Sequence, residues 1–253
     1  MQSRSSNSGP LLIPFSIKNN KVVSEYAIEK IRQNILSGKI VILKNVFSEE
    51  QIIDVREKII SWGNETAVFP HGESPSKYPK LNYHRIDDGS VPSVCPHIFH
   101  QYGFNLIDEL DKEFADSLLA VVNDMVSIQN LMAETSFDIS LNGLRLKVLQ
   151  YPEGGGFLQK HSHPMEPQKI GLILSLSKKE VDVRKGATAF ETPEGFVDTF
   201  NYHDIGDIII FRYDLPHEVT KVNPGKMPID WSLHTGKWSL VLELRETHRL
   251  SHK

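Results

Sequence analysis

Cysteine is nearly absent from this chain: Cys95 is the one thiol in 253 residues. A single thiol makes no internal disulfide and no cysteine-based zinc site, so a reducing, cytoplasmic compartment is the expectation. A lone cysteine is commonly inert, which leaves thiol chemistry aside. Long apolar runs are also missing. No stretch approaches the roughly 20 residues of a membrane helix, so no membrane partner is expected. Positive charge is not in excess. The 28 Lys and Arg stand against 32 Asp and Glu, a net charge of −4, without the basic footprint of a nucleic-acid binder. The first ten residues, Met1 to Pro10, lack the apolar centre of a secretory signal and read as a tail. No internal repeat is visible. What is present is an ordinary globular balance, 40% hydrophobic and 24% charged, at a length suited to one large domain.

Two kinds of periodicity divide that domain. Over residues 24–36, Ala27, Ile28, Ile31 and Ile35 recur at helical spacing, and Gly38 then stops the helix before a buried strand, Ile40-Val41-Ile42-Leu43. Ser48 and Gln51 make a capping box for a second helix running to about Trp62. Residues 63–103 are rich in Pro, Gly, Ser and His without a period, the pattern of an irregular surface lid. His71, His84, His97 and His100 fall within it, facing either substrate or solvent. Residues 104–133 return to helical spacing. From residue 138 onward the pattern changes to strands: Leu144, Leu146 and Val148 alternate with Arg145 and Lys147, Ile170–Ser177 and Asp207–Phe211 are continuous apolar runs, and Trp238 to Leu244 alternates again. Helices first and about six strands after them predict an α+β chain with an all-β sandwich or barrel in its second half. The expected organisation is a disordered tail over 1–15 and a single domain over 16–253, with helical support and lid over 16–135 and the β core over 136–246.

The chemistry concentrates in that β core. His161 and His163 are two residues apart, and in an extended chain both imidazoles point to one face. His217 follows a strand and the short loop Tyr213-Asp214-Leu215-Pro216. Imidazole suits iron, copper, zinc and nickel, and three facial ligands leave coordination positions open.

The surroundings of these histidines resemble the iron(II)/2-oxoglutarate dioxygenases, in their prolyl-hydroxylase and phytanoyl-CoA-hydroxylase-like branches. Tyr151-Pro152-Glu153-Gly154-Gly155-Gly156 leads to His161, as a Tyr-Pro and a glycine-rich stretch precede the first metal histidine there. The strand Ile170–Ser177, the turn Gly186-Ala187-Thr188-Ala189-Phe190 and the strand Gly206-Asp207-Ile208-Ile209-Ile210-Phe211 follow in the family's order. His217-Glu218-Val219 matches the segment of the second metal histidine, and Gly236-Lys237-Trp238-Ser239 matches the cosubstrate anchor. The resemblance covers residues 147–245. It implies a double-stranded β-helix, or jelly-roll, core buttressed by the N-terminal helices. It also implies iron(II), 2-oxoglutarate as cosubstrate, oxygen and a small-molecule substrate, with hydroxylation as the outcome and natural-product tailoring as the setting.

In that scheme iron is held by His161 and His217. The family's carboxylate position holds His163 instead, and three arrangements remain open. His163 is itself the third ligand, Glu166 bends back to coordinate, or the position is taken by water or halide as in related halogenases. Lys237 faces away from Trp238 and Leu240, toward the barrel interior, and would hold the distal carboxylate of 2-oxoglutarate by a charge-assisted hydrogen bond. Arg245 shares its parity and is the alternative anchor. Tyr151 either donates its hydroxyl to the cosubstrate or is a core aromatic. Glu191 and Arg212 flank the core strands and read as structural. Two other readings compete: a cupin-like three-histidine oxygenase that needs no 2-oxoglutarate, and an inactive binding module with the same fold.

Overall fold

The computed structural model describes residues 9–18, 21–70, 72–73, 81–90, 93, 95–139, 143–225 and 228–245. Strand β1 (Leu11–Lys18) pairs antiparallel with β2 (Lys21–Ser24) and parallel with β3 (Val41–Lys44). Helix α1 (Ile28–Leu36) lies between them in sequence. Helix α2 (Glu49–Glu65), strands β4 (Tyr83–Asp87) and β5 (His97–Phe104) and helix α3 (Lys112–Ala133) complete the first half. The second half consists of β6 (Gly143–Pro152), β7 (Phe157–His161), β8 (Ile170–Ser175), β9 (Thr188–Thr192), β10 (Gly195–Asp198), β11 (Ile208–Arg212), β12 (His217–Val219) and β13 (Gly236–Arg245).

The helices form where the sequence signals them. The Ser48 hydroxyl accepts the Gln51 amide at 3.2 Å and opens α2, whose Ile52, Val55 and Ile59 are buried. Asp111 caps α3 in the same way, accepting from the Phe114 amide at 3.0 Å. All three helices pack on the outer face of the large sheet, against Leu146, Val148, Leu174, Ile208, Trp238 and Leu240. Each fully buried aliphatic side chain of this layer contributes roughly 1.5–3 kcal/mol.

The large sheet runs β2-β1-β3-β11-β8-β13-β6-β5, with β4 beyond β5; a smaller sheet runs β7-β12-β9-β10. Strand β5 belongs to both. His100 to Phe104 pair with β6, while His97 and Ile98 pair with β7, so the ribbon turns over at β5 and its halves face each other. A second core, with Ile42, Ile173, Phe190, Ile209 and Phe211, fills part of the space between the sheets. Strands β8 and β11 are therefore covered on both faces, which explains why Ile170–Ser175 and Ile208–Phe211 show no alternation.

Three expectations need correction. Residues 11–15 are not tail: Leu11 to Pro14 pair with Val41 to Lys44, Phe15 pairs with Ser24, and Ile13 and Phe15 are buried. The first half is not only helical, since five strands come from it. Residues 63–103 are not one irregular lid, because β4 and β5 extend the large sheet there. Strand β5 hides its nature because its residues from Phe99 onward are buried, whichever way they point, and His, Gln and Gly interrupt the apolar positions. Among the described residues, no helix is long and apolar enough to cross a membrane.

Candidate metal centre

Strands β7 and β12 run antiparallel with His161 directly opposite His217. This register sets two imidazoles from distant sequence positions side by side, their ring centroids 4.3 Å apart. His163 follows the end of β7 and its amide bonds to the Tyr213 carbonyl at 3.4 Å, which returns the ring to the same point. One ring nitrogen from each of His161, His163 and His217 lies within 4.8 Å of the other two, the spacing of donors around a single ion. Glu166 is exposed and is not a member of this cluster.

The protonation pattern suits ligation. His161 Nδ1 donates to the Gln159 carbonyl at 3.0 Å and His217 Nδ1 to the Leu215 carbonyl at 2.9 Å. A carbonyl only accepts, so each Nδ1 carries the proton and each Nε2 keeps its lone pair. Burial lowers the pKa of both rings. For His217, burial and then the neighbouring His161 push it down to about 3. Aromatic rings hold the imidazoles in place: Tyr213 stacks on His163 at 4.5 Å, and Phe211 lies 4.8 Å from His217. Phe211 in turn lies over Gly171, where a Cβ would collide with its ring.

The three histidines open on a cavity of about 290 Å³ between the sheets. Its floor on the large sheet includes Leu149, Tyr151, Ser239 and Val241; on the small sheet, Leu158, Thr188 and Val219. Phe99 and His97 enter from β5. Tyr151 is buried, burial raises its pKa, and its hydroxyl finds no hydrogen-bond partner among the described residues. Thr188 Oγ1 and Ser239 Oγ are likewise buried without partners.

Lys237 lies on the same face of β13 as Ser239 and opposite Tyr151 in the register. Gly236, with φ 106°, lets the chain approach the Tyr151 carbonyl just before it. Lys237 is only 6% exposed and makes no ion pair or hydrogen bond among the described residues. It lines a smaller space of about 20 Å³ with Ser175, Ser177, Thr199 and His203, rather than the large cavity. Desolvation lowers its pKa to about 8, against weak support from Asp198. His203 Nδ1, in the same small space, is also unpartnered. Among the described residues, four buried polar groups are thus left without a partner: the Thr188 and Ser239 hydroxyls on the large cavity, and the Lys237 ammonium and His203 Nδ1 on the small space.

The remaining candidates are placed as follows. The side chain of Arg245 and the whole of His71 lie outside the described residues. His84 and His100 do not face solvent: both are buried and lie 2.9 Å apart, Nδ1 to Nε2, beneath Tyr102. His97 lines the cavity, with Nε2 2.8 Å from Asp87 Oδ2. Glu191 pairs with Lys160, and Arg212 with Asp214, both away from the cavity. Cys95 reaches the cavity rim, where burial raises its pKa and so disfavours the thiolate. Sequence reasoning missed Thr188, Ser239, Arg85 and Lys147. The first two carry a signal, being a hydroxyl inside the glycine turn and a hydroxyl of Lys237's parity. Arg85 and Lys147 carry none without the sheet register.

No known family model matches the chain, and no curated protein matches it. Solved structures do. A prolyl-4-hydroxylase from Pseudomonas putida is 14% identical, with 87% of this chain and 98% of that one covered at a TM-score of 0.55. An oxidoreductase of the 2OG-Fe(II) oxygenase family from Burkholderia pseudomallei is 10% identical over 93% of this chain and 97% of its own, at 0.52. The non-haem α-ketoglutarate-dependent epimerase SnoN of nogalamycin biosynthesis is 11% identical over 85% and 82%, at 0.51. At such identities the likeness speaks for architecture. The chain has the double-stranded β-helix fold of the 2-oxoglutarate/iron(II) oxygenases.

Proposed function

We propose that this protein is an iron(II)- and 2-oxoglutarate-dependent oxygenase that hydroxylates a small molecule. The observation that carries the reading is Lys237. A buried ammonium with no partner is costly, and it becomes favourable only when an anion meets it. Thr188 and Ser239 add two unused hydroxyl donors on the wall of the large cavity, and Tyr151 a third. A carboxylate that reaches Lys237 from the cavity of the three histidines would pass Ser239, which lies on the same face of β13.

His161, His163 and His217 would hold the metal through ring nitrogens, and a neutral three-imidazole face suits a divalent first-row ion with positions left open. When bound, iron and 2-oxoglutarate supply oxygen activation coupled to oxidative decarboxylation to succinate, and with it the oxidation of a substrate carbon. The chain's own residues bind and orient. The Gln159 and Leu215 carbonyls keep two imidazoles in one tautomer. Lys237 fixes the far end of the cosubstrate. Leu158, Val219 and Val241 exclude water and present an apolar wall to the substrate. The mostly apolar cavity supports a small organic substrate of the kind tailored in natural-product biosynthesis.

Among the described residues the histidine cluster holds no carboxylate, which favours a second reading, a cupin-like oxygenase without cosubstrate. The two part at Lys237, which is essential in the first and idle in the second. The test is succinate formation from 2-oxoglutarate in air with iron(II) and ascorbate. Slow succinate release that needs iron and disappears in Lys237→Met supports the first reading. Oxygen uptake with an organic substrate but without consumption of 2-oxoglutarate overturns it.

A further inference from the structure

Arg85 reaches the large cavity from β4 and uses only part of its guanidinium. Its Nη2 lies 2.8 Å from Asp87 Oδ2. Its Nε is buried and has no hydrogen-bond partner among the described residues. Asp87 has no capacity to spare on that oxygen, because His97 Nε2 shares it at 2.8 Å. The other charges on this wall are matched, since Lys147 pairs with Glu243. The group left unanswered at this end of the cavity is therefore an N–H donor on a permanent cation. Buried donors are nearly always satisfied, and those that are not mark a missing partner. The planar arginine fork matches a carboxylate better than any neutral acceptor.

The register sets Arg85 well apart from Lys237. Arg85 sits opposite Gln101, which sits opposite Leu149, which sits opposite Ser239. Lys237 lies on β13, three strand spacings from β4, or roughly 14 Å along the sheet at about 4.8 Å per strand. Arg85 thus lines the large cavity on which the histidine cluster opens, while Lys237 lies in the smaller space three strands away. The cavity that Arg85 lines also carries apolar side chains, among them Phe99, Leu149 and Leu242. The volume, about 290 Å³, is at the lower end for ligand sites.

We infer that Arg85 anchors the carboxylate of the substrate that is oxidised, so that the substrate class is a small carboxylic acid with an apolar body. This rests on the oxygenase reading for the assignment of Lys237 to the cosubstrate. Asp87 is then a positioning residue, holding the guanidinium by Nη2 and leaving Nε without a partner.

The test measures binding of short alkanoates and arylacetates, each against its own amide, by calorimetry on the full chain. Measurements are made with manganese(II) and saturating 2-oxoglutarate, and again without them in Lys237→Met. Acids are expected to bind about tenfold or more tightly than their amides. Arg85→Gln removes that preference and leaves 2-oxoglutarate affinity unchanged, and Arg85→Lys, which keeps the charge and guards against a folding defect, retains part of it. Amides binding as well as acids, acids ignoring Arg85→Gln, or no acid binding at all overturns the inference. If 2-oxoglutarate does not bind while the acids still depend on Arg85, the oxygenase reading fails and the carboxylate anchor stands.

Discussion

Replacing Lys237 by Met removes a charge while keeping an unbranched chain of similar length, and the structure gives the expected sign and size. The folded protein lowers the Lys237 pKa from the ordinary 10.5 to about 8, with desolvation as the main cause. At 1.36 kcal/mol for each pH unit, holding that ammonium charged at neutral pH costs the apoprotein about 3 kcal/mol. The penalty is full below about pH 8 and fades as pH rises toward 10.5, because there the unfolded chain binds more protons than the folded one. Lys237→Met is therefore expected to be more stable than the wild type without ligand at pH 7, by about 2–3 kcal/mol in urea unfolding. The gap closes with ligand. At about 100 times its dissociation constant, 2-oxoglutarate adds about 2.7 kcal/mol to the wild type and nothing to the variant. A variant less stable than the unliganded wild type, or one that 2-oxoglutarate stabilises equally, refutes the reasoning.

Three further outcomes follow from the same geometry. The affinity of wild-type protein for 2-oxoglutarate should fall about tenfold per pH unit above about pH 8, as Lys237 loses its proton, whereas Lys237→Arg stays flat; calorimetry across pH 7 to 10 checks this. Asp207 is 1% exposed, is paired with Lys44, and accepts the Asn45 and Asp204 amides at 2.8 Å. Asp207→Ala should cost about 3 kcal/mol, or roughly 10 °C in Tm, without touching the metal ligands. Gly171→Ala pushes Phe211 from its seat and Phe211 contacts His217, so metal affinity, read by equilibrium dialysis, should drop about tenfold alongside a stability loss of about 1–3 kcal/mol.

Much of this is legible in the sequence where local rules suffice. The Ser48 cap, the β-branched run at Ile208–Phe211 and the parity of His161 with His163 need only the chain itself. His217 joins them because a strand and a short turn bring it back, and the register with His161 completes the approach. Legibility ends where tertiary cover replaces alternation. In β5 the residues from Phe99 to Phe104 are all buried, so a strand that forms the corner of the barrel reads as loop. Arg85 and Lys147 take on meaning only when β4 and β6 are placed on the same sheet. The separation of Lys237 from the large cavity is also a matter of packing: its side chain turns toward Ser175, Ser177 and His203, which no spacing rule anticipates.

The measurement that bears most directly on the account is an anaerobic titration of the apoprotein with iron(II) and 2-oxoglutarate, followed by visible absorption. The account predicts the weak charge-transfer band of a chelated 2-oxo acid, saturable in both components, absent in His217→Ala and weakened in Lys237→Met. Iron binding without such a band at saturating 2-oxoglutarate, or no iron binding at all, contradicts it.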